Sequence, residues 1–258
     1  TIKPVNGLIA LQEKVISPST LFGCDQGYLF VGCHVHESPL NIIGAIKNSC
    51  NSYFCQAFRK IIENTAYSSI SSAFNKWRSY LDQLGFGRTI GYDLVNEKPG
   101  FLPDTSFYNN RYGKNRWKAL TIISLAIGQG EIGVSPLQMA NVTAAIANRG
   151  FYYSPHLVKT IGDSANTAPA LTTRHYISAD SVNFEYIVKG MEEAVNGGSG
   201  ATATIAAIND IIVCGKTGTA QNPHGKDHSI FVAFAPEDKP EIAIAVYIEN
   251  AGFGATYA

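Results

Sequence analysis

The sequence has no surplus of charge of either sign, because it carries 20 lysines and arginines and 20 aspartates and glutamates. This balance argues against nucleic acid or a polybasic membrane surface as a partner. The sequence also has no apolar run long enough to cross a bilayer. Its five cysteines are too few, and odd in number, for a disulfide framework. These absences leave a globular chain whose 258 residues can bury a substantial core.

Residues 213–220, Val-Cys-Gly-Lys-Thr-Gly-Thr-Ala, are the most informative stretch. They extend an apolar run that predicts a β-strand, yet they contain a lysine, two threonines and two glycines. Glycine weakens a strand and often marks a place where a ligand or another backbone approaches closely. The lysine supplies positive charge and the hydroxyls supply hydrogen bonds. The stretch therefore predicts a strand edge that binds an anion, although the tripeptide 216–218 alone would also fit an exposed turn.

Two further motifs precede this stretch. Ser49-Cys50-Asn51 interrupts a helical pattern, and Thr1-Ile2-Lys3-Pro4 matches the end of an S-x-x-K motif. The order S-x-x-K, S-x-N, K-T-G resembles that of the serine penicillin-recognising enzymes. Residues 127–140 and 215–221 resemble the corresponding strings of class B penicillin-binding proteins, above all the penicillin-binding protein 2 group that serves cell elongation. The resemblance covers nearly the whole chain.

This resemblance implies a fold and a location. The expected fold is α/β, with a mainly antiparallel five-stranded sheet flanked by helices and an all-helical lobe. Residues 1–258 would form one transpeptidase domain, truncated at both ends, without the family's N-terminal membrane anchor and pedestal domain. We expect the domain to lie at the periplasmic face of the bacterial inner membrane.

The resemblance also implies serine acyl transfer. A serine would attack the D-Ala-D-Ala carbonyl of a peptidoglycan stem peptide, and an amine of a second stem peptide would resolve the acyl-enzyme. The family's nucleophilic serine would stand immediately before Thr1, outside this sequence. A serine hydroxyl needs a neighbouring base, so we assign Lys3 as that base. Burial and a second ammonium, that of Lys216, would lower the Lys3 pKa; the alternative is a lysine exposed to solvent.

Further roles follow from the same resemblance. We expect Ser49 to relay a proton to the leaving amine and Asn51 to bind an amide carbonyl of the substrate. Both residue types also favour helix N-caps, which is the alternative. Lys216 and the strand residues after it would bind the terminal carboxylate: Thr217, Gly218 and Thr219. The backbone N–H of Thr219 would form the oxyanion hole together with that of the serine.

A second cluster combines cysteine and histidine. Three sulfurs and one imidazole suit a closed tetrahedral zinc site, and the residues concerned are Cys24, Cys33, His36 and Cys50. His34 ranks second as the imidazole ligand. The alternative is a Cys24–Cys33 disulfide, as an oxidising compartment permits. Catalysis itself needs no cofactor, and the remaining two cysteines suit small core positions.

Other functions stay open. A D,D-carboxypeptidase would share every motif, and a β-lactamase would need a glutamate-activated water, for which we find no E-x-x-L-N string. A non-catalytic module that binds or senses β-lactams is the alternative outside enzymes. The partners implied are stem peptides, β-lactam antibiotics and a RodA-type membrane glycosyltransferase. A polar loop from His224 to His228 could hold a metal or a substrate, although hairpin loops are usually polar without function.

Hydrophobic periodicity and turn residues predict the remaining elements. Helices are expected over residues 2–13, 40–62 with a break near residue 49, 74–84, 121–127, 136–148 and 178–195. Strands are expected over 211–220, 229–235 and 241–249, the last two as a hairpin. Residues 16–39 and 88–117 are expected to be irregular.

Overall fold

The computed structural model describes residues 2–160 and 169–258. Thr1, which belongs to the first motif, lies outside the described residues. The α-helices are α1 Lys3–Gln12, α2 Ile42–Lys47, α3 Asn51–Ile62, α4 Ile70–Gln83, α5 Thr105–Tyr112, α6 Pro136–Ala147, α7 Pro169–Thr172, α8 Ser181–Asn196 and α9 Gly254–Tyr257. Two 3₁₀ helices span Ala119–Ile127 and Thr204–Ala206. No helix among the described residues is both long enough and apolar enough to span a membrane.

The strands form three antiparallel groups. Two short pairs are β1 Gly27–Tyr28 with β2 Val31–Gly32, and β3 Phe151–Tyr153 with β4 Arg174–Tyr176. The main sheet has the order β5-β6-β7, with β5 Cys214–Ala220, β6 His228–Ala235 and β7 Ile242–Ile248. Lys216 pairs with Val232 in the register of β5 and β6. Among the described residues, β5 lies at an edge of this sheet.

Two sequence expectations need correction. The main sheet has three strands within the described residues, not five. The helices and the antiparallel strands of the domain still match the expected fold class. The segments 16–39 and 88–117 are not irregular throughout, because the first contains the β1–β2 pair and the second contains α5. Asp104 caps that helix, its carboxylate accepting the Phe107 N–H at 2.7 Å. The asparagines and tyrosines of α5 are weak helix formers, which concealed the helix in the sequence.

The core surrounds α1, whose residues from Lys3 to Leu11 are all buried. Asn6 fixes this helix, since its side-chain amide donates to the Leu125 and Ala126 carbonyls at 3.1 and 2.9 Å. Its carbonyl accepts the Trp77 indole N–H at 2.8 Å. These bonds satisfy a fully buried amide and hold the start of α1 in one place.

The main sheet is covered on both faces, as the alternation of β6 shows. Phe231 and Ala233 pack with Val195 of α8 in one apolar cluster. Phe234 points the other way, into the large core that contains α1 and α3. A strand with alternate residues in two clusters lies between two packed layers. The sheet therefore holds the edge strand β5 rigidly against the helical region.

Candidate active site

The three motifs meet at one hydroxyl. Lys3 lies in the first turn of α1, Ser49 in the turn between α2 and α3, and Lys216 in β5. The Lys3 amine donates to Ser49 Oγ at 3.0 Å and to the Ser49 carbonyl at 2.6 Å. The Lys216 amine donates to the same Oγ at 2.8 Å and to the Thr217 carbonyl at 2.9 Å. Ser49 Oγ therefore bridges two lysines that are 213 positions apart in sequence.

Local structure forces Ser49 into this position. Its backbone has φ of 54°, in the left-handed region that non-glycine residues rarely adopt. The preceding Asn48 ends α2, and its amide donates to the Gly44 carbonyl at 3.0 Å. Cys50 then caps α3, because its Sγ accepts the Tyr53 N–H at 3.3 Å. The break predicted near residue 49 is confirmed, but the alternative in which Ser49 or Asn51 is the N-cap is wrong.

Both lysines have lowered pKa values. Lys3 is 7% exposed and Lys216 is 0% exposed. Burial lowers the pKa of Lys3 to about 8, against the opposing effect of the nearby cysteines. Burial, and then the charge of Lys3, lower the pKa of Lys216 well below its ordinary value. The alternative of a solvent-exposed Lys3 is therefore wrong, and a neutral amine is accessible near neutral pH.

A cleft of about 580 Å³ opens over this cluster. It is lined by Lys3, Ser49 and Asn51 on one side and by the β5 residues Thr217, Gly218 and Thr219 on the other. The buried Lys216 is not among the lining residues. The expectation that Lys216 contacts a substrate carboxylate does not fit this burial, because its amine is engaged by Ser49 and Thr217. The two threonines of β5 remain as the groups that an anion can reach.

Asn51 joins the cleft to the neighbouring loop. Its side-chain amide donates to the Gly32 carbonyl at 2.7 Å, and its backbone N–H donates to Cys33 Sγ at 3.2 Å. An asparagine amide has two N–H donors and one carbonyl acceptor. One donor therefore serves the loop, and the rest of the amide faces the cleft.

The predicted Cys/His cluster also assembles. The ligand atoms of Cys24, Cys33, His36 and Cys50 all lie within 4.8 Å of one another. His36 Nδ1 donates to the Glu37 carbonyl at 2.6 Å, which leaves Nε2, 3.5 Å from Cys33 Sγ, free to bind a metal. All five cysteines are unpaired, so the Cys24–Cys33 disulfide is not formed. His34 is outside the cluster and lines the cleft instead.

The electrostatics of this cluster favour thiolate. Hydrogen bonding from the Cys50 thiol, with smaller contributions from His34, His36 and the Asn51 N–H, lowers the pKa of Cys33 to about 2. The same pairing raises the pKa of Cys50. A thiolate is the form of cysteine that binds zinc. Three sulfurs and one oriented imidazole therefore have the chemistry and the spacing of a tetrahedral site.

Sequence reasoning missed part of the cleft. Gln129, Asp227 and Phe253 line it as well, and Phe253 is 70% exposed. Gln129 was visible only as part of the Gly-Gln-Gly string that carried the family resemblance. Nothing in the sequence near Phe253 marks it, because its position depends on how the segment after β7 crosses β5. The Gly254 N–H donates to Thr219 Oγ1 at 3.3 Å at this crossing.

One histidine of the loop from His224 to His228 has a structural role. His228 Nδ1 accepts the Asn250 N–H at 3.1 Å, and its ring packs on Tyr247 with centroids 5.4 Å apart. Among the described residues, the Cys/His cluster around Cys50 is the one group with metal-binding spacing. A metal role for this loop therefore has no support from the described geometry.

The chain is similar to proteins of known name. The most similar relatives include two proteins named peptidoglycan D,D-transpeptidase MrdA. The one from Acinetobacter baumannii is 30% identical over 288 residues, and the one from Haemophilus influenzae is 29% identical over 285. Both alignments cover 100% of this chain but 40% and 42% of the relatives. The chain thus spans about two fifths of the curated relatives that it matches.

Solved structures agree with these relatives. Pseudomonas aeruginosa PBP2 in complex with WCK 5153 superimposes with a TM-score of 0.83 at 29% identity, over 99% of this chain and 57% of that one. Helicobacter pylori PBP2, in complex with MreC, gives 0.76 at 25% identity, over 98% and 46%. The family model described as the penicillin binding protein transpeptidase domain matches residues 1–258. The chain therefore belongs to the penicillin-binding protein transpeptidase family, as a class B domain similar to penicillin-binding protein 2.

Proposed function

We propose that the protein containing this domain is a peptidoglycan D,D-transpeptidase that cross-links stem peptides through a serine acyl-enzyme during cell-wall elongation. The observation that carries this proposal is the hydroxyl of Ser49 between the amines of Lys3 and Lys216. Acyl transfer needs a base near the nucleophile, a donor for the leaving amine and an anion site, and the cleft has all three groups. β-Lactams would acylate the nucleophilic serine expected immediately before Thr1.

In the proposed mechanism, neutral Lys3 takes the proton of the nucleophilic serine that precedes Thr1. Ser49 then passes a proton to the departing D-alanine amine, since its hydroxyl touches both lysines. Burial keeps Lys3 partly neutral, and the amine of buried Lys216 orients the Ser49 hydroxyl. The Thr219 N–H would stabilise the oxyanion, and one such donor is typically worth about two to three orders of magnitude in rate. Thr217 and Thr219 would hold the substrate carboxylate.

The test is acylation of the full-length protein by a fluorescent penicillin, followed by intact mass after the serine has been confirmed. We expect a mass increase of one penicillin, and at least a 100-fold slower reaction in Lys3→Ala and Lys216→Ala. No adduct on a protein that contains the serine would refute the transpeptidase mechanism. That result would favour a β-lactam-binding module instead.

Two hydrolytic alternatives are separated by the fate of the acyl-enzyme. A D,D-carboxypeptidase or a β-lactamase would pass its acyl group to water, whereas a transpeptidase passes it to an amine. Product analysis with a D-alanyl ester donor and an amine acceptor distinguishes them. An amide product supports transpeptidation, and a free acid at saturating amine supports hydrolysis.

We further propose that Cys24, Cys33, His36 and Cys50 hold a structural zinc ion. The donor set, its 4.8 Å spacing and the orientation of His36 support this assignment. When bound, zinc would supply a cross-link between the loop and α3, and it would take no part in acyl transfer. Metal analysis of purified protein is expected to give one zinc per chain, lost in a Cys24→Ser, His36→Asn double variant.

Partners and location belong to the same proposal. We place the domain at the periplasmic face of the inner membrane, carried by an N-terminal anchor and a pedestal in the longer protein. A RodA-type glycosyltransferase would supply the glycan strands, and the H. pylori relative is known in complex with MreC. Co-purification from membranes with RodA tests the partnership, and its absence under mild detergent would contradict it.

A further inference from the structure

A second cavity adjoins the cleft. Its volume is about 440 Å³, and it shares the lining residues His34 and Thr202 with the cleft. Its other walls include Glu37, Asn48 and residues 199–201. We propose that this cavity, the acceptor cavity, binds the amine-bearing peptide that resolves the acyl-enzyme. The inference rests on the proposed function and adds a binding site for the second substrate.

The position of the acceptor cavity agrees with the place at which the second amine must enter. Forming the new amide is the chemical reverse of breaking the old one, so the acceptor amine must enter where the leaving amine departed. In the proposed mechanism this place is beside Ser49. The preceding residue, Asn48, is buried and lines the acceptor cavity. We place the donor peptide along the β5 residues that line the cleft, which leaves the acceptor cavity for the second peptide.

The acceptor cavity has a negatively charged wall. A primary amine reaches the enzyme as an ammonium ion, which a carboxylate attracts. Glu37 places an exposed carboxylate in the wall of the acceptor cavity. Its Oε1 is engaged only at 3.5 Å, by the Asn48 amide, so the carboxylate keeps acceptor capacity for a cation. The cavity therefore attracts the positively charged end of a peptide.

The walls of the cavity are held in place. Thr202 Oγ1 donates to the Lys47 carbonyl at 3.1 Å, which fastens the loop after α8 to the end of α2. Gly200 has φ of 81°, and a Cβ there would lie 2.6 Å from Asn48 Oδ1. The positive φ favours glycine at this position. The cavity is thus a fixed feature of the loop packing.

The chemical step is an aminolysis. The ammonium loses one proton to solvent, and the neutral amine attacks the acyl carbonyl. The C–N bond forms, the ester C–O bond to the serine breaks, and the second amine proton returns to the serine oxygen through Ser49. Glu37 and the cavity bind and orient the peptide without taking part in proton transfer.

Two variants test the inference in the full-length protein. The assay follows transfer from an N-acyl-D-alanyl thioester to a tripeptide that carries a diamino acid, or to free D-alanine. We expect Glu37→Gln to raise the tripeptide concentration that gives half-saturation about tenfold. We expect Ala201→Phe, which fills the cavity, to abolish transfer to the tripeptide while D-alanine, which does not reach the cavity, is still used.

Asp25→Asn is the matched control. It removes an exposed carboxylate from the same loop, and that carboxylate does not line the cavity. Asp25 is next to Cys24, just as Glu37 is next to His36, so both variants lie beside a residue of the proposed zinc site. Asp25→Asn is expected to leave tripeptide half-saturation within twofold of wild type. Unchanged tripeptide transfer in both cavity variants, with normal unfolding temperatures, would overturn the acceptor cavity alone. A wild-type protein that penicillin does not acylate would overturn the proposed function as well.

Discussion

The hydroxyl of Ser49 accepts hydrogen bonds from the buried amines of Lys3 and Lys216. The number of bonds that it accepts determines whether its own proton is free. A hydroxyl has two acceptor lone pairs and one proton. When both lysines donate, both lone pairs are used and the proton is free to point into the cleft. When Lys3 is neutral, it can accept that proton instead. In the proposed mechanism, Ser49 can therefore pass protons between Lys3 and the substrate without a change in its backbone position.

Removing this hydroxyl gives a direct prediction. Ser49→Ala leaves two buried amines without their common acceptor and removes the proton relay. We expect acylation by fluorescent penicillin to slow by about 100-fold, measured as a second-order rate constant. Ser79→Ala removes a hydroxyl that donates to the Lys76 carbonyl within α4, so it should stay within twofold. Equal rates for wild type and Ser49→Ala would contradict the relay.

The pKa of Lys3 sets the pH dependence. As the proposed base, Lys3 would act only when it is neutral. The neutral fraction rises steeply with pH below the pKa of about 8 and approaches its maximum above it. Acylation should therefore increase about tenfold per pH unit well below 8 and level off above it. The profile is measured between pH 6 and 9.5 under conditions of limiting penicillin. A profile that falls across this range would show that the charged amine is the active form.

At the scale of an element, the active site depends on how α1 is docked. Asn6 bonds to two carbonyls of the 3₁₀ helix Ala119–Ile127 and accepts from Trp77. We expect Asn6→Ala to reduce the free energy of unfolding by about 2–3 kcal/mol, because it leaves buried carbonyls and an indole N–H unpaired. Trp77→Phe should cost less, because it removes only one of these bonds. Urea denaturation gives both values, and the double variant should be non-additive.

The elements also show what a single sequence can reveal. Long amphipathic helices such as α6 and α8 were predictable, since Ser135 caps α6 and the apolar spacing is regular. Helix α5 was not, because Asp104 is its one clear signal and its residues favour loops. The motif order placed Lys3, Ser49 and Lys216 together. The sequence could not show that Lys216 is fully buried, which depends on packing between β5, β6 and α8.

The Cys/His cluster was predictable in its ligands but not in its mechanical role. Spacing alone put Cys24, Cys33, His36 and Cys50 in one set. That Cys50 also caps α3, and that Cys33 accepts the Asn51 N–H, required the three-dimensional packing of the loop on α3. The sequence already favoured His36 over His34, and in the structure His36 is the histidine of the cluster.

At the scale of the whole molecule, the proposed zinc ion joins the loop of residues 16–39 to the helical core. Chelation should lower the unfolding temperature by about 10 °C, as expected for loss of a ligand present far above its dissociation constant. Hydrogen exchange should rise mainly around Cys33 and Asn51. The Cys24→Ser, His36→Asn variant should be insensitive to the chelator. An unchanged unfolding temperature in wild type would refute a structural metal.

The burial of Cys50 limits the routes by which the domain can evolve. This residue is the middle of the Ser49-Cys50-Asn51 motif, yet its sulfur faces the Cys/His cluster and the start of α3. Because Cys50 is fully buried and caps α3, we expect substitutions there to reduce stability. If β-lactams acylate the domain as proposed, few substitutions between Ser49 and Asn51 would be tolerated under selection by these drugs. We expect resistance to arise on the opposite wall, at exposed positions such as Phe253, where a substitution changes drug contacts at small cost to stability.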